Sequence, residues 1–168
     1  MRPRLPLVLL ALLSASAVTA AEMPKRKAGL WEIQMNFNPN MPAQTMQQCT
    51  DAASDQQLFA NAGNMSRERQ CSKNEVQTSG NTVTIDSTCT VNGKTMTTHN
   101  VITGSFDSAY TMNITMSGGP DTPGAPKAMT MQAKWLGPCK ADQRPGDIIM
   151  PGGVKMNVIE MRNRAAPK

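Results

Sequence analysis

The chain has 168 residues, with 17 Lys and Arg against 12 Asp and Glu, a formal net charge of +5, and only two Trp, one Tyr and three Phe. Its basic residues are scattered and its aromatics few, which excludes a nucleic-acid interface built from basic stripes interleaved with stacking rings. The length allows one domain around a single core.

The N-terminus reads Met1-Arg2-Pro3-Arg4, then the apolar run Leu5 to Leu13, then the small-residue site Val18-Thr19-Ala20. Two cations, a short apolar stretch and small residues make a secretory signal peptide over 1–20, with cleavage after Ala20. The run is too short for the roughly 20 residues that span a bilayer, and nothing later is continuously apolar for half that length. No cysteine follows the cleavage site, so neither a lipoprotein anchor nor a transmembrane anchor is expected after cleavage. Losing Arg2 and Arg4 lowers the formal net charge from +5 to about +3, and the signal peptide marks the protein for export. The expected organisation is a linker over 21–28, one β-rich domain over 29–140, and a tail over 141–168 that is partly ordered at best.

In chain order, Gly29 to Phe37 alternates with period two. Trp31, Ile33, Met35 and Phe37 share one face, and Glu32, Gln34 and Asn36 the other, as in a half-buried strand. Pro39 and Pro42 end it. A short strand over 44–49 follows, then an N-cap at Thr50-Asp51 and one or two helical turns over 52–60, with Leu58 and Phe59 as the apolar contact. The stretch 67–91 reads as a hairpin about Thr78-Ser79-Gly80-Asn81, with Val83, Ile85, Cys89 and Val91 on one face of its second arm. Asn92-Gly93 is a strong two-residue hairpin turn. Strands are expected over 94–105, from Tyr110 (with Met112, Ile114 and Met116 inward), and over 128–135 (with Met129, Met131, Ala133 and Trp135 inward). The Gly/Pro-rich loop 118–126 separates the last two, and 154–161 offers a further strand. Short strands joined by short turns imply an antiparallel meander, forming a curved sheet or partly closed small barrel with one short helix. A flat sandwich is the alternative.

Four cysteines in an exported chain read as two disulfides. Cys71 and Cys89 lie equally far from Gly80, so folding the hairpin there sets them face to face and leaves Cys49 for Cys139. A three-residue turn at Ser79–Asn81 gives this register directly. A two-residue turn at Ser79-Gly80 would miss it by one unless a β-bulge corrects the pairing. The absence of any Cys-x-x-Cys pair argues against a thiolate metal site.

For chemistry, the sequence offers little. There are 14 methionines, whereas after residue 20 leucine occurs only at Leu30, Leu58 and Leu136. Two readings stand side by side: methionine as core filler on inward strand positions, or a Cu(I) site of thioethers drawn from Met129 and Met131, Met112 and Met116, or Met96 near His99. His99, the single histidine, has no motif-placed nucleophile or carboxylate and reads as a solvent-facing residue. Trp31, Ile33, Met35, Met112, Ile114, Met129, Met131 and Trp135 are candidate lining for an apolar cavity, with packed core as the competing reading. The expected function is a non-enzymatic binding module for a small apolar ligand, a lipid or an envelope partner, without a cofactor. Periplasmic copper handling and a hydrolase of unrecognised type are the alternatives.

Lys27-Ala-Gly-Leu-Trp-Glu32, Gln48-Cys49-Thr50, Cys71, Ser79-Gly80-Asn81-Thr82-Val83, Cys89 and Trp135-Leu-Gly-Pro-Cys139 together resemble the bacterial exported family catalogued as domain of unknown function 3617. The resemblance covers about Pro24 to Lys140. It implies a periplasmic β-rich domain with paired cysteines, and supplies no activity and no catalytic residues.

Overall fold

Alternation of apolar and polar side chains makes Gly29–Asn36 a strand, β1, and the sheet is built outward from it on both sides. The computed structural model describes residues 23–37, 40–63, 70–91, 93–119 and 127–165. Eight further strands join β1: β2 (Gln44–Thr50), β3 (Gln70–Ser79), β4 (Thr82–Val91), β5 (Lys94–Ser105), β6 (Ala109–Gly118), β7 (Ala128–Gly137), β8 (Asp147–Ile149) and β9 (Lys155–Asn157). Helix α1 (Ala52–Gly63) follows β2, and α2 (Val158–Ala165) follows β9. The strand order is β3-β4-β5-β6-β7-β1-β2-β8-β9, antiparallel at every pairing.

The sheet is open, with β3 and β9 as its edges, so it does not close into a barrel. Strands β3 to β7 form the expected meander. Beyond β7 the order departs from a meander, because β1 pairs with β7 on one side and β2 on the other. The β2–α1–β3 connection therefore runs from one flank of the sheet to the opposite edge.

The opening hairpin differs in detail from its expected form. Ser79 pairs with Thr82 across a two-residue Gly80-Asn81 turn, with Gly80 at a φ of 59°. Positive φ costs glycine almost nothing, so the turn settles there rather than on three residues. This register alone would misalign the cysteines. A β-bulge between Cys71 and Lys73 restores the facing of Cys71 and Cys89, which are bonded. Cys49 is bonded to Cys139, with Cα atoms 5.5 Å apart, and no cysteine is free. Val91 pairs with Lys94 at the second hairpin, where Gly93 has a φ of 74°; Asn92 lies outside the described residues.

Cross-strand register lines up the inner face. Trp31 opposes Trp135, Ile33 opposes Ala133 and Met35 opposes Met131. Next, Tyr110 opposes Ala133 and Met112 opposes Met131, while Ile102 links Met112 to Val83. Trp31, Ile33, Val83, Ile102, Tyr110, Met112 and Ala133 are the buried core cluster. Removing each larger side chain from water contributes about 1.5–3 kcal/mol, enough to fix which face of every strand points inward.

Two segments carry more structure than their composition implies. Over 141–168, where composition implies a partly ordered tail with one strand at 154–161, the described residues form β8, β9 and α2. Asn157 divides that expected strand, because its Oδ1 accepts the N–H groups of Ile159 and Glu160 and so caps α2. The expected linker is also structured: Arg26 is buried, and the Lys27 N–H donates to the Phe106 carbonyl at 2.8 Å. Helix α1 begins as expected, with the Ser54 N–H donating to Asp51 Oδ1 and the Asp51 N–H donating to Ser54 Oγ, both at 2.8 Å, and it runs three residues beyond Ala60. The Ser54 N–H and Oγ–H, both donating to Asp51 Oδ1 at 2.8 Å, hold the Asp51 carboxyl below its ordinary value. The signal-peptide residues and 120–126 of the Gly/Pro-rich loop lie outside the described residues, as does the Phe59 side chain.

Candidate functional site

The eight candidate cavity residues come together on one face of three adjacent strands, β6, β7 and β1. Trp31 and Ile33 are fully buried at 0% and 1% exposure, and Met112 is at the margin with 9%. Met35, Ile114, Met131 and Trp135 are half-buried and pack against that core, and Met129 is half-buried beside them. The first group is therefore filled core, and the second is its partly open continuation along the same face. Helices α1 and α2 pack against each other and against β2 and β9, at one flank of the sheet. Among the described residues, the half-buried apolar side chains of β6, β7 and β1 continue the core away from the β2–β9 flank that the helices cover.

At the β1 end, residues 26–28 are strapped onto this face. The Arg26 main-chain N–H donates to Asp55 Oδ2 at 3.0 Å and its Nε–H to Oδ1 at 2.6 Å, while Nη1–H reaches Gln48 Oε1 at 3.0 Å. Its guanidinium also lies 5.6 Å from the Trp31 ring centre. Both tryptophans hold the strap: Trp31 Nε1–H donates to the Lys27 carbonyl at 2.8 Å, and Trp135 Nε1–H to the Ala28 carbonyl at 3.1 Å. The Lys27 ammonium sits 3.8 Å above the Trp135 ring, a cation–π contact at the rim. Burial pushes the Tyr110 hydroxyl above its ordinary value, with the nearby Arg26 pulling the other way. Nothing in the local sequence marked Arg26 or Asp55, since one sits in a basic run and the other in a short helix.

The opposite face is polar. Two shallow concavities lie largely on it: one of about 420 Å³ includes Glu32, Gln34, Thr111, Gln132 and Lys134 in its lining, and one of about 300 Å³ includes Lys73, Asp86, Thr97, His99 and Thr115. His99 Nδ1 is 2.7 Å from Asp86 Oδ1, with both side chains open to solvent, as expected for a solvent-facing histidine. The row continues across β6 to Thr115. The main-chain N–H groups here belong to the strand ladder. Met96 and His99, three residues apart on β5, fall on opposite faces and cannot share one metal ion. Among the described residues, no group of three His, Cys, Asp or Glu is placed to hold a metal.

The two motifs at the ends of the domain are neighbours in space. Leu30 pairs with Gly137 and Trp31 with Trp135, Leu30 also faces Cys49 on β2, and Cys49 is bonded to Cys139. Gly-Leu-Trp-Glu and Trp-Leu-Gly-Pro-Cys are therefore two halves of one strand junction closed by a disulfide. No curated protein and no solved structure matches the chain. The model of a family described as a protein of unknown function, DUF3617, matches residues 26–139, starting at the buried Arg26 and ending at the bridged Cys139, and the chain belongs to that family.

Proposed function

We propose that this protein is an exported, non-enzymatic binding module that holds a small apolar ligand, such as a lipid acyl chain, against the inner face of its sheet. The observation that carries the reading is the mismatch between apolar surface and cover. The half-buried side chains of Met35, Ile114, Met129 and Met131 extend the core along β1, β6 and β7, whereas both helices pack at the β2–β9 flank. A sheet with one apolar face is stable when that face is covered, and a ligand is one means of covering it. Methionine suits the role because its unbranched thioether chain adapts to varied apolar shapes. The N-terminal signal sequence and the two disulfides support export to an oxidising compartment.

The test is organic extraction of the purified protein followed by mass spectrometry, paired with titration of a delipidated sample by a fatty acid. Trp31 and Trp135 are the two tryptophans of the chain and lie on this face, so their emission reports occupancy directly. A co-purifying lipid, or a saturable emission change, supports the reading. An empty extract combined with no saturable response overturns it.

A further inference from the structure

We propose that Met35, Met112 and Met131 form a thioether site for Cu(I). Met131 on β7 stands directly opposite Met35 on β1 and directly opposite Met112 on β6, so three methionines occupy one row across three adjacent strands. All three belong to the same packed cluster, with Met112 at its edge and the other two half-buried against it. Directly opposed side chains start with Cβ atoms about 4.5–5.5 Å apart, and the three rotatable bonds of each methionine let the flanking sulfurs lean toward the central one. Met129 stands two residues from Met131 on the same face and offers a fourth donor nearby. Met46 is not part of the row, because it stands opposite Ile33 on β1, while Met35 faces Gln44.

The chemistry selects a soft monovalent ion. Thioethers are neutral and polarisable, and they favour Cu(I) over harder divalent cations. No carboxylate or imidazole lies in the row, and all four cysteines are consumed in disulfides, so thioether sulfur is the soft donor this chain offers. A thioether also survives in a compartment where a free thiolate pair would oxidise. Leucine would fill the same volume, and β-branched residues suit a strand better. Sulfur is what distinguishes the row from ordinary packing. Binding is a ligand exchange in which Cu(I) leaves its donor for the sulfurs, with no electron transferred.

Met35 and Met131 also belong to the surface proposed for the apolar ligand, so the site is tested on delipidated full mature protein by anaerobic titration with Cu(I), against a chromophoric Cu(I) chelator. One equivalent is expected to bind, with the methyl resonances of Met35, Met112 and Met131 shifting together. The variant M35L/M112L/M131L conserves core volume and should keep the wild-type melting temperature to within a few degrees. Because ligand loss costs more than the roughly 10–100-fold typical of outer contacts, it is expected to lose stoichiometric Cu(I) binding. H99Q should bind as the wild type does. The proposal is overturned if the wild type takes up no stoichiometric Cu(I), if the triple variant binds it with unchanged affinity, or if H99Q abolishes uptake.

Discussion

Arg26 and Asp55, 29 residues apart, form a two-pronged contact with side chains 3% and 2% exposed, one prong from the Arg26 main chain and one from its guanidinium. Breaking a buried pair by removing one partner strands a charge away from water, at a cost of about 3–5 kcal/mol. Arg26→Ala and Asp55→Ala are each expected to lower the unfolding free energy by that much, read as a lower urea midpoint at unchanged slope. The apolar double replacement Arg26→Met with Asp55→Leu should cost less than Arg26→Met or Asp55→Leu alone, because no charge is stranded. A double-mutant cycle measures this, and full additivity would contradict it.

Gly29 opens β1 with a φ of 134°, and a Cβ there would meet the Gly137 carbonyl oxygen and the Trp135 indole nitrogen. Gly29→Ala combines strain with a backbone clash at the junction of the two motifs. A loss of roughly 2–3 kcal/mol or more is expected, with altered tryptophan emission. Gly93→Ala has open space around its Cβ but also a positive φ, and should cost about 1 kcal/mol. Equal melting temperatures for the two variants would refute the steric account.

The two bridges close loops of very different length, with sequence separations of 90 and 18. Chain entropy assigns about 5 kcal/mol to Cys49–Cys139 and about 3 kcal/mol to Cys71–Cys89. Paired Cys→Ser variants should therefore destabilise in that order in chemical denaturation. The long bridge also ties β2 to the end of β7, so its loss should expose the β8–β9 flank to proteolysis first.

Asp147 is buried, and burial alone would raise its carboxyl above the ordinary 3.8, yet its value is lowered. The Arg144 N–H, the Asn157 side chain, and the charges of Lys155 and Arg144 outweigh desolvation. The unfolded chain thus takes up the proton before the folded one does. The resulting stability is complete above the ordinary value and drains away as pH falls through the lower folded value. Asp147→Asn should lose about 1.5–3 kcal/mol at neutral pH and show a flatter acid limb in melting temperature against pH. An acid limb as steep as the wild type's would place the titrating group elsewhere.

Periodicity and turn chemistry are local, and what depends on them was legible. Trp31, Ile33 and Met35 alternate with polar neighbours, so the face of β1 followed from the residues themselves, and Asn92-Gly93 marked its hairpin. The cysteine pairing was legible for the same reason, although the turn that produces it was not. Sequence symmetry about Gly80 placed Cys71 opposite Cys89, whereas the folded hairpin reaches that pairing by a tighter turn and a compensating bulge.

The chain by itself determined strands β1 to β7, their inward faces and the two bridges, because each rests on contacts within a strand, across one turn, or on counting thiols. Only the tertiary structure decided that β1 sits between β7 and β2, that the row Met35-Met131-Met112 exists, and that Arg26 is buried on Asp55. These depend on register between strands up to a hundred residues apart and on a charge pair drawn from an extended segment and a helix. No local pattern encodes such partners, and their pairing is fixed only when the whole sheet buries its inner face at once.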